Sequence, residues 1–301
     1  MHHIRRMFSI ALIALPAAAH AVTPVSEVRP LNAQGQVSID NTKGAVVVRV
    51  SDQSEVRING TLGKGVERLA IEGDRNHLSI RVINPQTRGW FGNWSGAKTG
   101  DTRLEITVPE RASVEVEGVS AVTDIKGMAG RRLSVSTVSG DVQVDASPGE
   151  AHVDSVSGDL HLRLDTNKTR AETVSGNLDL QGRVNGEVSV GTVSGRIVLR
   201  ADKPSDVDVS AVSGDAELRT GLAPGGQLKA ESTSGDLKLM LPAASSARVE
   251  ASSFSGTIQS DSGSVQSPEH GPGSSLKTRI GRGDATVTLE SFSGDVSVKL
   301  D

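Results

Sequence analysis

Between residues 133 and 300, apolar and polar side chains alternate in short bursts, and each burst is followed by a second one out of phase with the first. Apolar or small residues stand seven, five and three positions before a recurrent glycine. Examples are Leu133, Val135 and Thr137 before Gly140, Val188, Val190 and Thr192 before Gly195, Val207, Val209 and Ala211 before Gly214, and Val287, Leu289 and Ser291 before Gly294. After the glycine they stand at the second and fourth positions: Val142 and Val144, Leu160 and Leu162, Leu178 and Leu180, Ile197 and Leu199, Val296 and Val298. Alternation at period two predicts strands with one buried face. A single strand cannot change its inward parity, so the chain must bend at the glycine.

The bend carries a repeated phrase. The pairs Ser139-Gly140, Ser157-Gly158, Ser175-Gly176, Ser194-Gly195, Ser213-Gly214, Ser234-Gly235, Ser255-Gly256 and Ser293-Gly294 recur at steps of 18, 18, 19, 19, 21, 21 and 38 residues. The last step is two periods long, which predicts one degenerate or replaced unit. Val119-Ser120-Ala121 reads as a further copy without the glycine. Two strands per ~19 residues leave no room for a crossover helix, so the economical arrangement is a parallel β-solenoid in which each coil stacks on the last. Nine coils at a strand spacing of about 4.8 Å give a length of roughly 40 Å. The fold class expected is therefore all-β, a β-solenoid of ~19-residue coils over residues 118–301, with a β-rich cap or wider initial coils over 22–117. A Ser/Gly/Pro-rich insertion at about 260–275 is expected to be flexible. The edge of the last coil is open to pairing with another copy, so a homo-oligomer is left open.

Composition narrows the function. Aromatic residues are 2% of the 301, there is no Cys or Tyr, and Gly numbers 33. A disulfide scaffold, a thiolate metal site and a catalytic cysteine are excluded. Stacking platforms for glycans or single-stranded nucleic acid are disfavoured. The net charge of −4 argues against nucleic acid as a partner.

Residues 1–21 read as a secretory signal. Arg5 and Arg6 precede the apolar run Met7–Leu15, and Ala19-His20-Ala21 gives the small-residue cleavage pattern, with cleavage expected after Ala21. Removing it takes away two basic residues and no acid, which leaves a net charge of −6. No later segment is apolar over the ~18 residues of a transmembrane span. The expected location is periplasmic or secreted.

The Val-Ser-Gly-Asp/Asn-hydrophobic-x-hydrophobic repeats, together with Gly44-Ala45-Val46-Val47-Val48, the phrase from Val56 to Gly63 and the run from Leu104 to Pro109, resemble the bacterial "putative adhesin" family of β-strand-repeat proteins. The resemblance covers most of Val25 to Leu300, and the sequence departs from it at Ala121, Arg196 and Thr257. It implies a β-solenoid protein of the cell envelope, in a family of undefined function with some members associated with envelope-stress responses. It implies no catalytic residues.

Candidate chemistry is sparse. Eight equivalent serines sit in eight equivalent corners, whereas a nucleophile needs its own base and oxyanion hole. A hydroxyl bonding the turn backbone accounts for all of them, and the glycine beside each supplies a positive φ or a close approach between coils. The column Asp141, Asp159, Asp215, Asp236 and Asp295 is interrupted by Asn177, Arg196 and Thr257. It reads as exposed Asx-type turn residues. The histidines lack metal-ligand spacing, and neither a metal nor a cofactor is expected. Arg282-Gly283-Asp284 lies at the start of a strand segment and carries no weight. Phe254 and Phe292 replace the corner valine, and thickening or closing of the end of the core is expected of them. Trp90, Phe91 and Trp94 fall within five positions of one loop. They are the candidate partner-binding loop, weighed against simple packing over the cap.

The expected function is a non-catalytic exported binding, adhesion or scaffold module of the cell envelope. Its partner would be an envelope protein, glycan or lipid. Envelope-stress sensing, and a polysaccharide-acting enzyme on a solenoid scaffold, are the rival readings.

Overall fold

The computed structural model describes residues 23–85, 99–268 and 272–301, and among them it contains strands and turns but no helix. The N-terminal strands are β1 (Thr23–Pro30), β2 (Gln36–Ser51), β3 (Glu55–Leu62), β4 (Arg68–Gly73), β5 (His77–Ile83) and β6 (Thr102–Pro109). Next come β7 (Ser113–Lys126), β8 (Arg132–Thr137), β9 (Val142–Ala146), β10 (Glu150–Ser155), β11 (Leu160–Thr173) and β12 (Leu178–Thr192). They are followed by β13 (Ile197–Ala201), β14 (Asp206–Ala211), β15 (Ala216–Thr220), β16 (Gln227–Ser232), β17 (Leu237–Leu241), β18 (Ala247–Ser253) and β19 (Ile258–Ser260). The last four are β20 (Val265–Gln266), β21 (Ser274–Ile280), β22 (Ala285–Ser291) and β23 (Val296–Leu300).

Each repeat is one coil with two parallel-stacked strands. The first face runs from residues 36–41 of β2 through 113–118 of β7, β8, β10, 168–173 of β11, 187–192 of β12, β14 and β16. The second face runs from 44–48 of β2 through 120–126 of β7, β9, 160–166 of β11, 178–184 of β12, β13, β15 and β17. The alternation predicted both faces correctly: Leu133, Val135, Val142, Val144, Leu160 and Leu162 all point into one core that runs the length of the stack. Among the described residues that core is built from Val, Leu, Ile and Ala with Met128, and holds no aromatic side chain. The parallel stacking begins at β2, so Asn41-Thr42-Lys43-Gly44 is a corner that the sequence reading missed, and Ala121 stacks on Gly44 as a further copy.

The order of coils departs from chain order at one place. The final coil, β22 and β23, does not close the stack. It lies between β16/β17 and β18/β19, paired on both sides with identical in-phase register. The residues between these two coils form an antiparallel arm: β21 pairs with β18, and β20 pairs with β21. The doubled step of 38 residues therefore contains this arm, and β20 and the first two residues of β21 fall within the 260–275 insertion. The physical reason lies in burial. The arm adds a strand to the first face only, so a coil placed beyond it would have no second face to bury against. The slot beside β16 and β17 offers a neighbour on both sides of both strands.

The ends are also managed. The edge strand at the N-terminal end of the second face, β1, carries Pro24 and Pro30 and pairs with β3, and β3 pairs with β6. On the first face, the antiparallel pair β4–β5 ends the sheet. At the far end, β21 covers β18 and the exposed edge β19 is three residues long. Prolines and short strands blunt edge-to-edge pairing.

Candidate functional site

The repeated corner has the same five-position layout in every complete copy. The third residue before the glycine points inward and is a buried hydroxyl in most coils, including Thr137, Ser155, Thr173, Ser253 and Ser291. Its oxygen accepts the glycine N–H in several corners: Ser155 from Gly158 at 2.8 Å, Thr173 from Gly176 at 3.1 Å and Ser253 from Gly256 at 2.9 Å. This inner hydroxyl column was grouped with the apolar positions in the sequence reading, because small residues share its slot.

Next comes the valine, which points outward. Its backbone carbonyl accepts the following coil's serine N–H at 2.8 Å, as in Val138 with Ser157, Val156 with Ser175 and Val174 with Ser194. The serine hydroxyls of Ser139 and Ser157 donate to Val119 and Val138 carbonyls at 3.2 Å. The bond reaches the neighbouring coil, where the sequence had suggested the serine's own turn. Coils about 4.8 Å apart bring that carbonyl within reach.

The glycines are explained by close approach alone. None of the eight corner glycines adopts a left-handed φ. A Cβ built on Gly158, Gly176, Gly195 or Gly214 would overlap the glycine carbonyl oxygen of the coil before it. Ala121 is the exception, and it stacks on Gly44, whose φ of +115° departs from the other corners.

The carboxylates form an inter-coil ladder in place of the expected Asx turns. Asp141 Oδ1 accepts the Asp159 N–H at 3.1 Å, and Asp159 Oδ1 accepts that of Asn177 at 2.8 Å. Asn177 Oδ1 accepts the Arg196 N–H at 3.1 Å. The ladder restarts at Asp215, which accepts from Asp236 at 3.1 Å, and continues through Asp295 to Thr257 at 2.9 and 2.8 Å. At the break, the Arg196 guanidinium lies 3.7 Å from Asp215. The Thr257 N–H and hydroxyl hold the Asp295 carboxyl below the usual carboxylate range. Asp74 is lowered by the N–H groups of Asn76 and His77, and Asp284 by the Ser246 hydroxyl and Arg282. A carboxyl lowered in the folded state adds stability above its unfolded value, near pH 4, and loses it as pH falls through the folded value. Partly buried Asp40 works in the opposite sense, raised by desolvation against the pull of Arg81. Asp295→Asn keeps the acceptor oxygen and removes the titration. In acid-unfolding curves it is expected to flatten part of the loss below pH 4, and to lower stability at neutral pH by the part that the charged carboxyl supplied there.

The exposed surface of the corner is apolar. Val119, Val138, Val156, Val174, Val193 and Val212 are 43–47% exposed and stack as a straight ridge. Thr233 continues it, followed by Phe292 and then Phe254. The two phenylalanines were expected to close the end of the core. They instead lie outside it, 58% and 49% exposed, with rings 5.0 Å apart and nearly parallel. The reason is parity: the position two before the glycine faces outward in every coil, whatever its size. The aromatic pair borders an open cleft of about 1040 Å³, whose other wall is formed by Gln266, Pro268 and Pro272 of the arm. Trp90, Phe91 and Trp94 lie outside the described residues.

Carboxylates stand beside the ridge in part of the stack. On the first face, the outward position four before the corner is Glu117, Asp154, Glu172, Glu231 or Glu290 in five coils and Ser136, Gly191, Ser210 or Ser252 in the others, and Glu172 and Glu231 pair with Arg170 and Lys229 of their own strands. The Asp column flanks the other side. Among the described residues, no three His, Cys, Asp or Glu side chains gather as a metal site. His152 pairs with Asp154 at 2.7 Å. Arg282 folds onto Asp284 at 3.0 Å, in the turn between β21 and β22.

These features define the class: a two-faced parallel β-solenoid whose most distinctive surface is an apolar ridge along one corner. The chain belongs to the Toastrack DUF4097 family, whose pattern matches residues 35–299. No curated protein matches the sequence. Among solved structures, it is similar to a "putative lipid binding protein" from Parabacteroides distasonis, with 12% identity over 92% of this chain and 97% of that one and a TM-score of 0.51. It is also similar to a "putative adhesin" from Bacteroides fragilis, with 11% identity over 93% and 98% and a TM-score of 0.44. At such identities the likeness concerns the fold alone.

Proposed function

We propose that this protein is a non-catalytic binding module, exported to the bacterial cell envelope, that engages its partner along the valine–phenylalanine ridge. The supporting observation is the exposure of that ridge. The backbone does not demand valine at this position, because Thr233 occupies it in the same stack. Monomeric proteins rarely leave a long continuous apolar stripe in water. The names of the structural neighbours, adhesin and lipid binding protein, agree with a binding role.

The enzyme alternative gains no support from the corner. A general acid needs a raised pKa, and the Asp295 carboxyl is lowered by its hydrogen bonds to Thr257. The corner serines recur in equivalent backbone positions, and among the described residues no histidine is hydrogen-bonded to one of them.

The test is site-specific photo-crosslinking in the native envelope. A benzophenone side chain at Val174 is expected to capture a defined partner, while one at Glu217, on the outward side of the second face, captures none. Equal capture at both sites, or none at Val174, removes the reading. With the probe kept at position 174, Val156→Ser and Val193→Ser are expected to alter stability by no more than about 0.5 kcal/mol each, because these side chains lie at the surface. Together they should abolish capture at position 174 while the cooperative unfolding transition is kept. Export is checked independently, by mass spectrometry of the mature N-terminus, expected at Val22.

A further inference from the structure

We infer that the ridge is built to receive a basic amphipathic α-helix of a partner polypeptide. The inference rests on the binding reading above and adds the chemistry and shape of the occupant. Two observations carry it. The first is charge. The apolar ridge has an excess of carboxylates beside it: Glu117, Asp154 and Glu172 on one side and Asp141, Asp159 and Asp215 on the other, with Arg196 the one cation in those positions and with Asp154, Glu172 and Asp215 paired with His152, Arg170 and Arg196. The Asp carboxylates spend one oxygen on the next coil's N–H, which leaves the other available. An occupant must therefore present apolar side chains flanked by cations. A second copy of this chain would bring carboxylates against carboxylates. An anionic lipid surface would meet the same repulsion.

The second observation is spacing. The ridge repeats once per coil, about every 4.8 Å. An α-helix presents a side chain on a given face about every 5.4 Å, whereas an extended strand does so about every 6.7 Å. The helix is the closer match, and apolar side chains along it can seat between successive valines. The six valines span about 24 Å, equivalent to about 16 helical residues at 1.5 Å each. Beyond them, the exposed Phe292–Phe254 pair and its cleft offer a larger apolar anchor for one end of that helix.

The experiment uses the full chain and a fluorescein-labelled 18-residue Leu/Lys amphipathic helix, with the charge-reversed Leu/Glu helix as control. Anisotropy should show binding of the Leu/Lys helix only, weakening with added salt. The ridge variant Val156→Ser, Val174→Ser, Val193→Ser keeps every charge and should weaken binding at least about tenfold. Asp159→Asn with Glu172→Gln keeps the ridge and should also weaken it. Binding that ignores the serine changes is bulk attraction between opposite charges and overturns the inference. So do binding of the Leu/Glu helix, ridge-dependent self-association in sedimentation, or ridge-dependent binding to phosphatidylglycerol vesicles. If the peptide results fail while Val174 still crosslinks a partner in the envelope, the helix inference falls and the binding module stands. If both fail, both fall.

Discussion

Gly176→Ala is expected to destabilise the protein by at least about 3 kcal/mol, at the upper end of the usual cost of overpacking. The methyl group would overlap the Gly158 carbonyl carbon and oxygen. The obstruction is backbone held in a ladder of inter-coil hydrogen bonds, on both sides of the corner, so no side-chain rotation relieves it. Coils contact mainly their neighbours, and stability in such stacks is close to a sum of neighbour terms. The insult should therefore uncouple the coils before residue 158 from those after 176. Urea unfolding is expected to lose its single transition and split in two, with the same split in hydrogen exchange. Ala121→Gly provides the contrast. It removes a methyl group from the same column at a site where it already fits, and should cost only the ~0.5–1 kcal/mol of added chain freedom. Equal effects of the two changes would show that the column of glycines has another cause.

Truncation after Asp284 is the second large effect. In a stack built in chain order, such a deletion would peel one layer from the end. Here it removes an internal layer, β22 and β23, and the buried side chains Val287, Leu289, Val296 and Val298. At about 1.5–3 kcal/mol for each fully buried side chain, the gross loss of burial is about 6–12 kcal/mol. The coil 247–260 and its antiparallel arm would also lose the layer that connects them to β16 and β17. Limited proteolysis of the truncated chain is expected to cleave rapidly between 242 and 284 while the fragment ending near Leu241 persists. If only the last few residues become sensitive, the coil 247–260 has re-docked on β16 and β17, and the internal position of the final coil is not needed for stability.

Much of the fold was legible because a two-residue period and an 18–21-residue period together leave few arrangements open. Leu160, Leu162, Leu178 and Leu180 had to face one interior, and the phase change at Gly158 and Gly176 had to be a bend. The corner at Asn41–Gly44 was less legible, since its glycine stands without the Val-Ser phrase. The bonding partners of Ser157 and Asp159 were not legible. A sequence shows which residues are neighbours along the chain, and these bonds cross between coils 18 residues apart. The ridge was hidden for a related reason. Valine before a Ser-Gly bend looks like core by composition, and only the direction of the corner backbone shows that it faces water.

The sequence by itself determined the strands, their inward faces, the bends and the parallel stack, because each follows from local periodicity and from equivalent residues recurring at a fixed step. It could not determine the order of the last coils. The segments 247–260 and 285–300 carry the same pattern, so either fits against β16 and β17 in the same register. The tertiary structure made that choice through the antiparallel arm, which covers the first face of one coil and leaves the slot with two complete neighbours to the other. By the same placement it brought Phe292 and Phe254 together, 38 residues apart in the chain, at the end of an exposed apolar ridge.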